Sequence, residues 1–344
     1  MPWLEVLRAF VASVQDLGRP GYRALGVPVC GALDRAAAAY ANALVGNPLR
    51  EAVIEAVGGG LEFRVVGGDA VLAVTGAEAE VRVDGEAAPL WQPFRVGEGS
   101  VVSVSRPKAG LAVYVGVSGG IAVKEVLGSK STYARAGFGG LEGRMLKRGD
   151  KVPVGCVDVD AVWEVVKGRS APEWVRSRVP SGTATLRVTK GVHYGRAPEG
   201  FKELLEGPFA VSPQSDRMGF RLEGRVVEAV KGLGRLPSSP TDRGYVQVPP
   251  NGRPIVLMSD SQTTGGYAVL AHVIMPDVDV LAQCVPGQEV RFVEVGVREA
   301  ERETIRYLNM LEQAVVTVVV EEEYWGEFLP SGVVEGIRKG LRGG

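Results

Sequence analysis

Short Val-rich runs divided by Gly, Pro or Asp-Gly turns fill most of this sequence, and their spacing leaves no room for a helix between successive strands. LEFRVV (61–66), AVLAVT (70–75), AEVRV (79–83), VVSVS (101–105) and LAVYVGVS (111–118) set the rhythm. TLRVTK (185–190), YVQV (245–248), IVLMS (255–259) and EVRFVEV (289–295) resume it. A doubly wound parallel sheet needs a crossover helix after each strand, so this spacing excludes it. Strands this close predict an antiparallel sandwich or barrel. Asp84-Gly85, directly after AEVRV, marks a hairpin because both turn positions need a positive φ.

Helices are few. DRAAAAYANALVGNP (34–48) predicts one, with Asp34 as cap, an Ala run in the middle, and Gly46 and Pro48 at the end. Short helices are expected at 158–167 and 199–206. A longer amphipathic one is expected at 298–313, with Ile305, Leu308 and Leu311 on one side. A polar stretch holding Pro172 and Pro180 separates two β-rich halves. The predicted organisation is a β domain over 1–175, a second over 176–297, and a helical or extended segment over 298–344.

A formal net charge of −1 argues against nucleic-acid binding, which calls for a basic excess. The run AVVTVVV (314–320) is far shorter than the roughly 20 residues that span a bilayer, and the N-terminus carries no signal-peptide pattern. Cys30, Cys156 and Cys284 are widely spaced and form no C-x-x-C, so small buried thiols and a cytoplasmic setting are expected. No phosphate-binding P-loop occurs, and the two histidines, His193 and His272, fit packing or surface roles better than a metal site or a catalytic triad. The chain holds only 4 Asn and 8 Gln. Such scarcity is typical of proteins that work hot, so the remaining amides, Gln15, Gln214, Gln247 and Gln262 among them, are expected to have definite jobs.

Four dense polar-glycine segments between strands are candidate chemistry. SVQDLGRPGYRALGVPVCGALDR (13–35) carries Asp16, Arg19, Asp34 and Arg35. STYARAGFGGLEGR (131–144) has three glycines soon after Arg135, which let backbone N–H groups approach an anion. SPQSDRMGFRLEG (212–224) presents Ser215, Asp216 and Arg217 in a row, and an arginine fork suits a carboxylate or phosphate. SDSQTTGGYAVLAHVI (259–274) places hydroxyls and glycines at a strand end, where they could hold a phosphate or oxyanion. Each segment read alone also suits an ordinary turn braced by an Asp-Arg pair.

Taken together, VQDLGRPGY, GALDR, LVGNP, SDRMGFRLEG, QVPPNGRPIVL and the QTTGGY string resemble, in order and spacing over residues 6–295, the KipA-like family that holds the C subunit of 5-oxoprolinase. That family includes allophanate hydrolase subunit 2 and the carboxyltransferase A/B domain of urea carboxylase. The resemblance implies a cyclophilin-like β-barrel in each half. It also implies two partner subunits, one KipI-like and one of the LamB/YcsF type, with ATP (and Mg) as co-substrate of the complex. Ser261 and Ala268 depart from the family's usual Arg and Pro, and LPSSPTDRG (236–244) lacks an acidic residue that many relatives carry, which leaves the substrate open.

The reaction so implied is ATP-dependent opening of 5-oxoproline to glutamate. Asp16, Arg19, Asp216 and Arg217 are the expected catalytic residues, with Asp16 or Asp216 orienting substrate or metal. Arg35, Ser215, Gln262, Thr263, Thr264, Gly265, Gly266 and Tyr267 are expected to bind substrate or phosphate, and no metal site of its own is expected in the chain. Two alternatives stay open. One is carboxyl transfer with biotin carried by another protein, because Arg144-Met145-Leu146-Lys147 is a poor match to a biotin-acceptor hairpin. The other is a KipA-type module that sequesters a kinase inhibitor.

Overall fold

The computed structural model describes residues 1–234, 236–314 and the backbone of 319–320. In the first half the strands are β1 (Trp3–Arg8), β2 (Ala12–Gln15), β3 (Val53–Val57), β4 (Leu61–Val66), β5 (Ala70–Glu78), β6 (Val81–Val83), β7 (Glu86–Ala88), β8 (Pro93–Val96), β9 (Val101–Val104), β10 (Ala109–Val117) and β11 (Lys151–Pro153). They form a six-stranded sheet, β11-β1-β4-β9-β6-β7, and a five-stranded sheet, β2-β3-β10-β5-β8. The predicted hairpin is β6–β7, with Asp84 at φ 51° and Gly85 at φ 89°.

The two sheets share one core: Leu4, Val6, Phe63 and Val65 from the first meet Val14, Ile54, Leu72 and Val115 from the second. Strict alternation puts Leu61, Phe63 and Val65 of β4 inward and leaves Glu62, Arg64 and Val66 toward solvent. Strand β5 breaks that rule and is buried on both faces. Helix α1 (Arg35–Leu44) explains it by lying across the sheet, and Ala36 through Leu44 are all buried. Alanines bring the helix close enough that a Cβ on Gly116 of β10 would overlap the Ala41 carbonyl. Asp34 caps this helix by accepting from the Ala37 N–H at 3.0 Å.

After β11 come α2 (Val159–Val166), the two-residue strand β12 (Arg169–Ser170) and the single turn α3 (Glu173–Arg176). The stretch around residue 175 is anchored, with Val175 buried and Trp174 set edge-on to Tyr40 of α1. The second half contains β13 (Ala184–Lys190), α4 (Pro198–Leu205), β14 (Phe209–Val211), β15 (Gly219–Gly224), β16 (Ser239–Pro240), β17 (Tyr245–Val248), β18 (Ile255–Leu257), β19 (Thr264–Gly265), β20 (Ala268–Val273), α5 (Met275–Ala282), β21 (Glu289–Glu294) and α6 (Val297–Glu312). Seven of these strands close into a barrel, β13-β20-β17-β18-β15-β14-β21, sealed by the parallel pair β13–β21. The expected mainly β fold is thus present in both halves. One half is a closed ring and the other encloses its core between facing sheets.

Leu33 of the first half is buried in the core of the barrel, so the two halves share apolar packing as well as polar contacts. Two expectations need correcting. On α6 the buried residues are Tyr307 and Leu311, whereas Ile305 and Leu308 are exposed. The helix is turned so that the Tyr307 hydroxyl reaches Asp279 of α5, an interaction that hydrophobic spacing does not encode. Cys30 and Cys284 are buried as expected, but Cys156 is exposed. Residues 315–318 and 321–344, which take in most of the final Val-rich run, lie outside the described residues. Among those described, no helix is long and apolar enough to cross a membrane.

Candidate functional site

All four polar-glycine segments meet where the halves join. Cys30 of the first segment donates its N–H to Ser259 O of the fourth at 3.0 Å. The Asp260 N–H donates to Arg217 O of the third at 2.9 Å. Arg135 of the second is ion-paired with Asp216 of the third at 3.6 Å. The first and second are tied through Asp16: its carboxylate accepts from the Ser129 hydroxyl at 2.7 Å, the Lys130 N–H at 2.6 Å, the Gly18 N–H at 2.7 Å and the Ser131 hydroxyl.

Arg217 is the centre of this junction. Its Nε and Nη2 donate to the two oxygens of Asp260 at 2.9 Å each, Nη2 also donates to Gly31 O at 2.6 Å, and Nη1 donates to Glu55 of β3. Burial works against the charge, but Asp260 and Glu55 outweigh it, and the guanidinium pKa is raised. Beside it, Cys30 sits at φ 58°, a left-handed conformation rare for a residue with a side chain. Burial first, and Asp260 second, push its thiol up to about 12, which makes it a poor nucleophile.

The side chains expected to do chemistry are largely engaged with protein. Arg19 is fully buried: Nε donates to Val126 O at 3.3 Å, Nη2 donates to Ser131 O, and the guanidinium lies 5.0 Å from the Phe138 ring centre. Asp216 is exposed and caps its own turn through the Met218 N–H at 2.8 Å. The Ser215 hydroxyl accepts from the Arg221 N–H at 3.0 Å. Arg35 is placed elsewhere, lining a cavity beneath α6.

The QTTGGY turn starts next to Arg217 and runs away from it. Gln262 Nε2 donates to Gln247 Oε1 at 3.0 Å, and its backbone carbonyl accepts from the Thr241 hydroxyl at 2.6 Å. Arg23 of the first segment donates to the same Gln262 carbonyl at 3.3 Å. Thr263 O accepts from the Thr241 N–H at 3.0 Å, and Thr264-Gly265 pair with Ser239-Pro240. Gly266 and Tyr267 border a separate cavity of about 430 Å³, walled by Val230, Leu233 and Pro250. Buried polar atoms without a partner cluster along this turn, at Gln247 Nε2 and Ser261 Oγ.

Three cross-half residues escaped the sequence reading. Glu55 accepts from the Leu33 N–H at 2.7 Å as well as from Arg217, and Asp260 completes the clamp. Gln283 Oε1 accepts from the N–H groups of Leu111 and Ala112, each at 3.1 Å, while its Nε2 donates to Asp34 at 2.8 Å. Glu55 did leave a signal, an acidic residue inside the otherwise apolar strand VIEAV. Gln283 left none.

The family described as "Carboxyltransferase domain, subdomain A and B" matches residues 25–294, which run through both halves and take in Glu55, Arg217 and Asp260 of the junction. The chain belongs to this carboxyltransferase A/B family. Among its relatives is the C subunit of the 5-oxoprolinase of Escherichia coli (strain K12), 38% identical over 322 residues that cover 90% of this chain and 97% of the relative. The "Urea amidolyase" of Saccharomyces cerevisiae is 31% identical over 83% of this chain but only 16% of its own length. Among solved structures, TTHA0988 superposes with a TM-score of 0.76 and 34% identity over 85% of this chain. This carboxyltransferase-family chain covers 55% of that protein.

Proposed function

We propose that this chain is the C-type component of an ATP-dependent 5-oxoprolinase, acting with one KipI-like and one LamB/YcsF-type partner to open 5-oxoproline to glutamate. One observation carries the reading: the likeness to the Escherichia coli protein runs through 97% of that relative at 38% identity. A cytoplasmic setting suits three cysteines that are all free thiols.

The junction does not suit a nucleotide triphosphate. Arg217 has its donors engaged by Asp260, Glu55 and Gly31, and the two carboxylates would repel phosphate charge. Among the described residues no group of three or more His, Cys, Asp or Glu could hold a metal ion. We therefore assign ATP to the complex as a whole and derive no phosphoryl step here. Asp16, Arg19 and Arg217 act as positioning residues that fix the four segments. Gln262, Thr263, Thr264, Gly265, Gly266 and Tyr267 form the substrate-facing turn, supported by the unpartnered Gln247 Nε2 and Ser261 Oγ beside it. Such catalysis rests on orientation and on polar groups placed in advance.

Carboxyl transfer is the second reading, favoured by the 31% identity to a urea amidolyase. The test is ATP turnover by this chain co-expressed with its two partners. Hydrolysis that depends on 5-oxoproline supports the first reading. Turnover with urea and a biotinylated carrier, and none with 5-oxoproline, would replace it with the second.

A further inference from the structure

A cavity of about 700 Å³ lies where α6 crosses between the start of α1 and the barrel. Arg35 and Arg243 supply its cationic side, and Ile274, Val278 and Ile305 line it with apolar surface. We propose that this cavity binds a singly charged organic carboxylate, with Arg35 as the residue that grips it.

Arg35 is the reason to expect an anion. Its Nε is buried without a hydrogen-bond partner, and among the described residues its side chain makes no hydrogen bond or ion pair. Other arginines withdrawn from solvent have protein acceptors: Arg217 has Asp260 and Glu55, and the fully buried Arg19 has the Val126 and Ser131 carbonyls. A guanidinium taken out of water without a counter-ion is costly, and a bound anion removes that cost. Burial, and then repulsion from Arg243, depress the Arg35 pKa to about 10, the direction expected of a cation lacking its partner.

Glu301 and Asp242 border the cavity but neither is ion-paired with Arg35, and the buried Asp279 is already engaged. Asp279 gives one oxygen to Arg243 at 2.7 Å and the other to the Ala36 N–H at 3.2 Å and the Tyr307 hydroxyl. Arg243 adds a second donor, since its Nη2 is held by Leu33 O at 2.6 Å and by Asp279 while its Nε has no partner.

The walls narrow the ligand class. A planar guanidinium fork matches a carboxylate, and the apolar lining favours an organic body over an inorganic ion. Glu301 and Asp242 border the same space and would repel a multiply charged phosphate ester. The inference stands on this cavity and not on the reaction proposed above, although 5-oxoproline is a member of the class.

The test is calorimetric titration of the full-length chain with four probes: 5-oxoproline, cyclopentanecarboxylate, uncharged 2-pyrrolidinone and inorganic phosphate. At least one carboxylate should bind saturably and 2-pyrrolidinone should not. Arg35→Gln should weaken binding about tenfold or more, the scale of losing a charged hydrogen bond, with the unfolding midpoint of the unliganded chain not lowered. Should that variant fail to fold, Ile305→Trp, which fills the cavity from α6, must abolish the same binding. Binding of cyclopentanecarboxylate without 5-oxoproline supports this inference while counting against the oxoprolinase reading. Absence of carboxylate binding, phosphate binding tighter than either carboxylate, or binding that survives both substitutions overturns it.

Discussion

Arg217, carried by the barrel, donates to the Glu55 carboxylate at the centre of β3 in the first half, and both side chains are shielded from solvent. The pair crosses the boundary between the halves and holds the SDRMG turn against the loop that ends at Asp34. Asp260 meets the other side of the same guanidinium through two parallel bonds, so one arginine fixes three chain segments.

Removing Arg217 leaves the Glu55 and Asp260 carboxylates buried without their mate, a loss of roughly 3–5 kcal/mol. Arg217→Ala is expected to lower the unfolding free energy on that scale in urea titrations, and Glu55→Gln by less, because Asp260 still pairs with the guanidinium. Arg217→Ala should also reduce turnover of the assembled enzyme about 100-fold, because the segments it orients lose their register. A variant within twofold of wild type in turnover would show that the clamp does not position the site.

Asp34 should give the protein an unusual acid profile. Burial, and then the neighbouring Asp279, raise its pKa from 3.8 to about 6. The folded chain therefore binds that proton more tightly than the unfolded chain, and stability falls as pH rises from about 4 to about 6. Asp279 runs the other way. Its pKa is held low, since Arg243 and Arg178 outweigh its burial, so its contribution is lost only below about 3.8. Asp34→Asn keeps a capping side chain and removes the titration. Urea midpoints of wild type should fall relative to the variant between pH 4 and 6, and parallel curves would contradict the assignment.

Gly139 adopts φ +74°, and a Cβ there would overlap the Ser131 carbonyl oxygen that also receives Arg19. Left-handed backbone alone costs a residue with a side chain roughly 1–2 kcal/mol. Gly139→Ala should therefore destabilise by more than about 2 kcal/mol, with the clash added, and thermal melts would measure it. The same substitution at Gly137 keeps a φ penalty (+69°) but meets no atom within 4 Å, so it should cost less.

Much of the fold was legible because its causes are local. The Asp34 cap and the Ala run predicted α1, Asp84-Gly85 predicted the β6–β7 turn, and the alternation in LEFRVV predicted which face of β4 is buried. Helix α5 was missed. Its sequence, MPDVDVLA, carries two aspartates inside a short apolar run, and both are buried against arginines from elsewhere in the fold: Asp277 pairs with Arg187 and Asp279 with Arg243. The inward face of α6 was misread for a similar reason, a hydroxyl-to-carboxylate contact that outweighed the apolar spacing of Ile305 and Leu308.

The site was half legible. Turn chemistry marked all four polar-glycine segments, because tight turns demand Gly, Pro and Asp whatever they are for. The order of side chains cannot say which arginine meets which acid, since those partners lie tens to hundreds of residues apart. Arg19 and Arg217 look alike in sequence as cations in glycine-rich loops, and the folded chain gives both to protein acceptors while leaving Arg35 without one. The sequence by itself determined strands, turns and family membership through short-range backbone preferences and pattern. Only the packing of one half against the other decided which charges are neutralised inside the protein and which remain open to a ligand, because electrostatic pairing depends on distance in space and not along the chain.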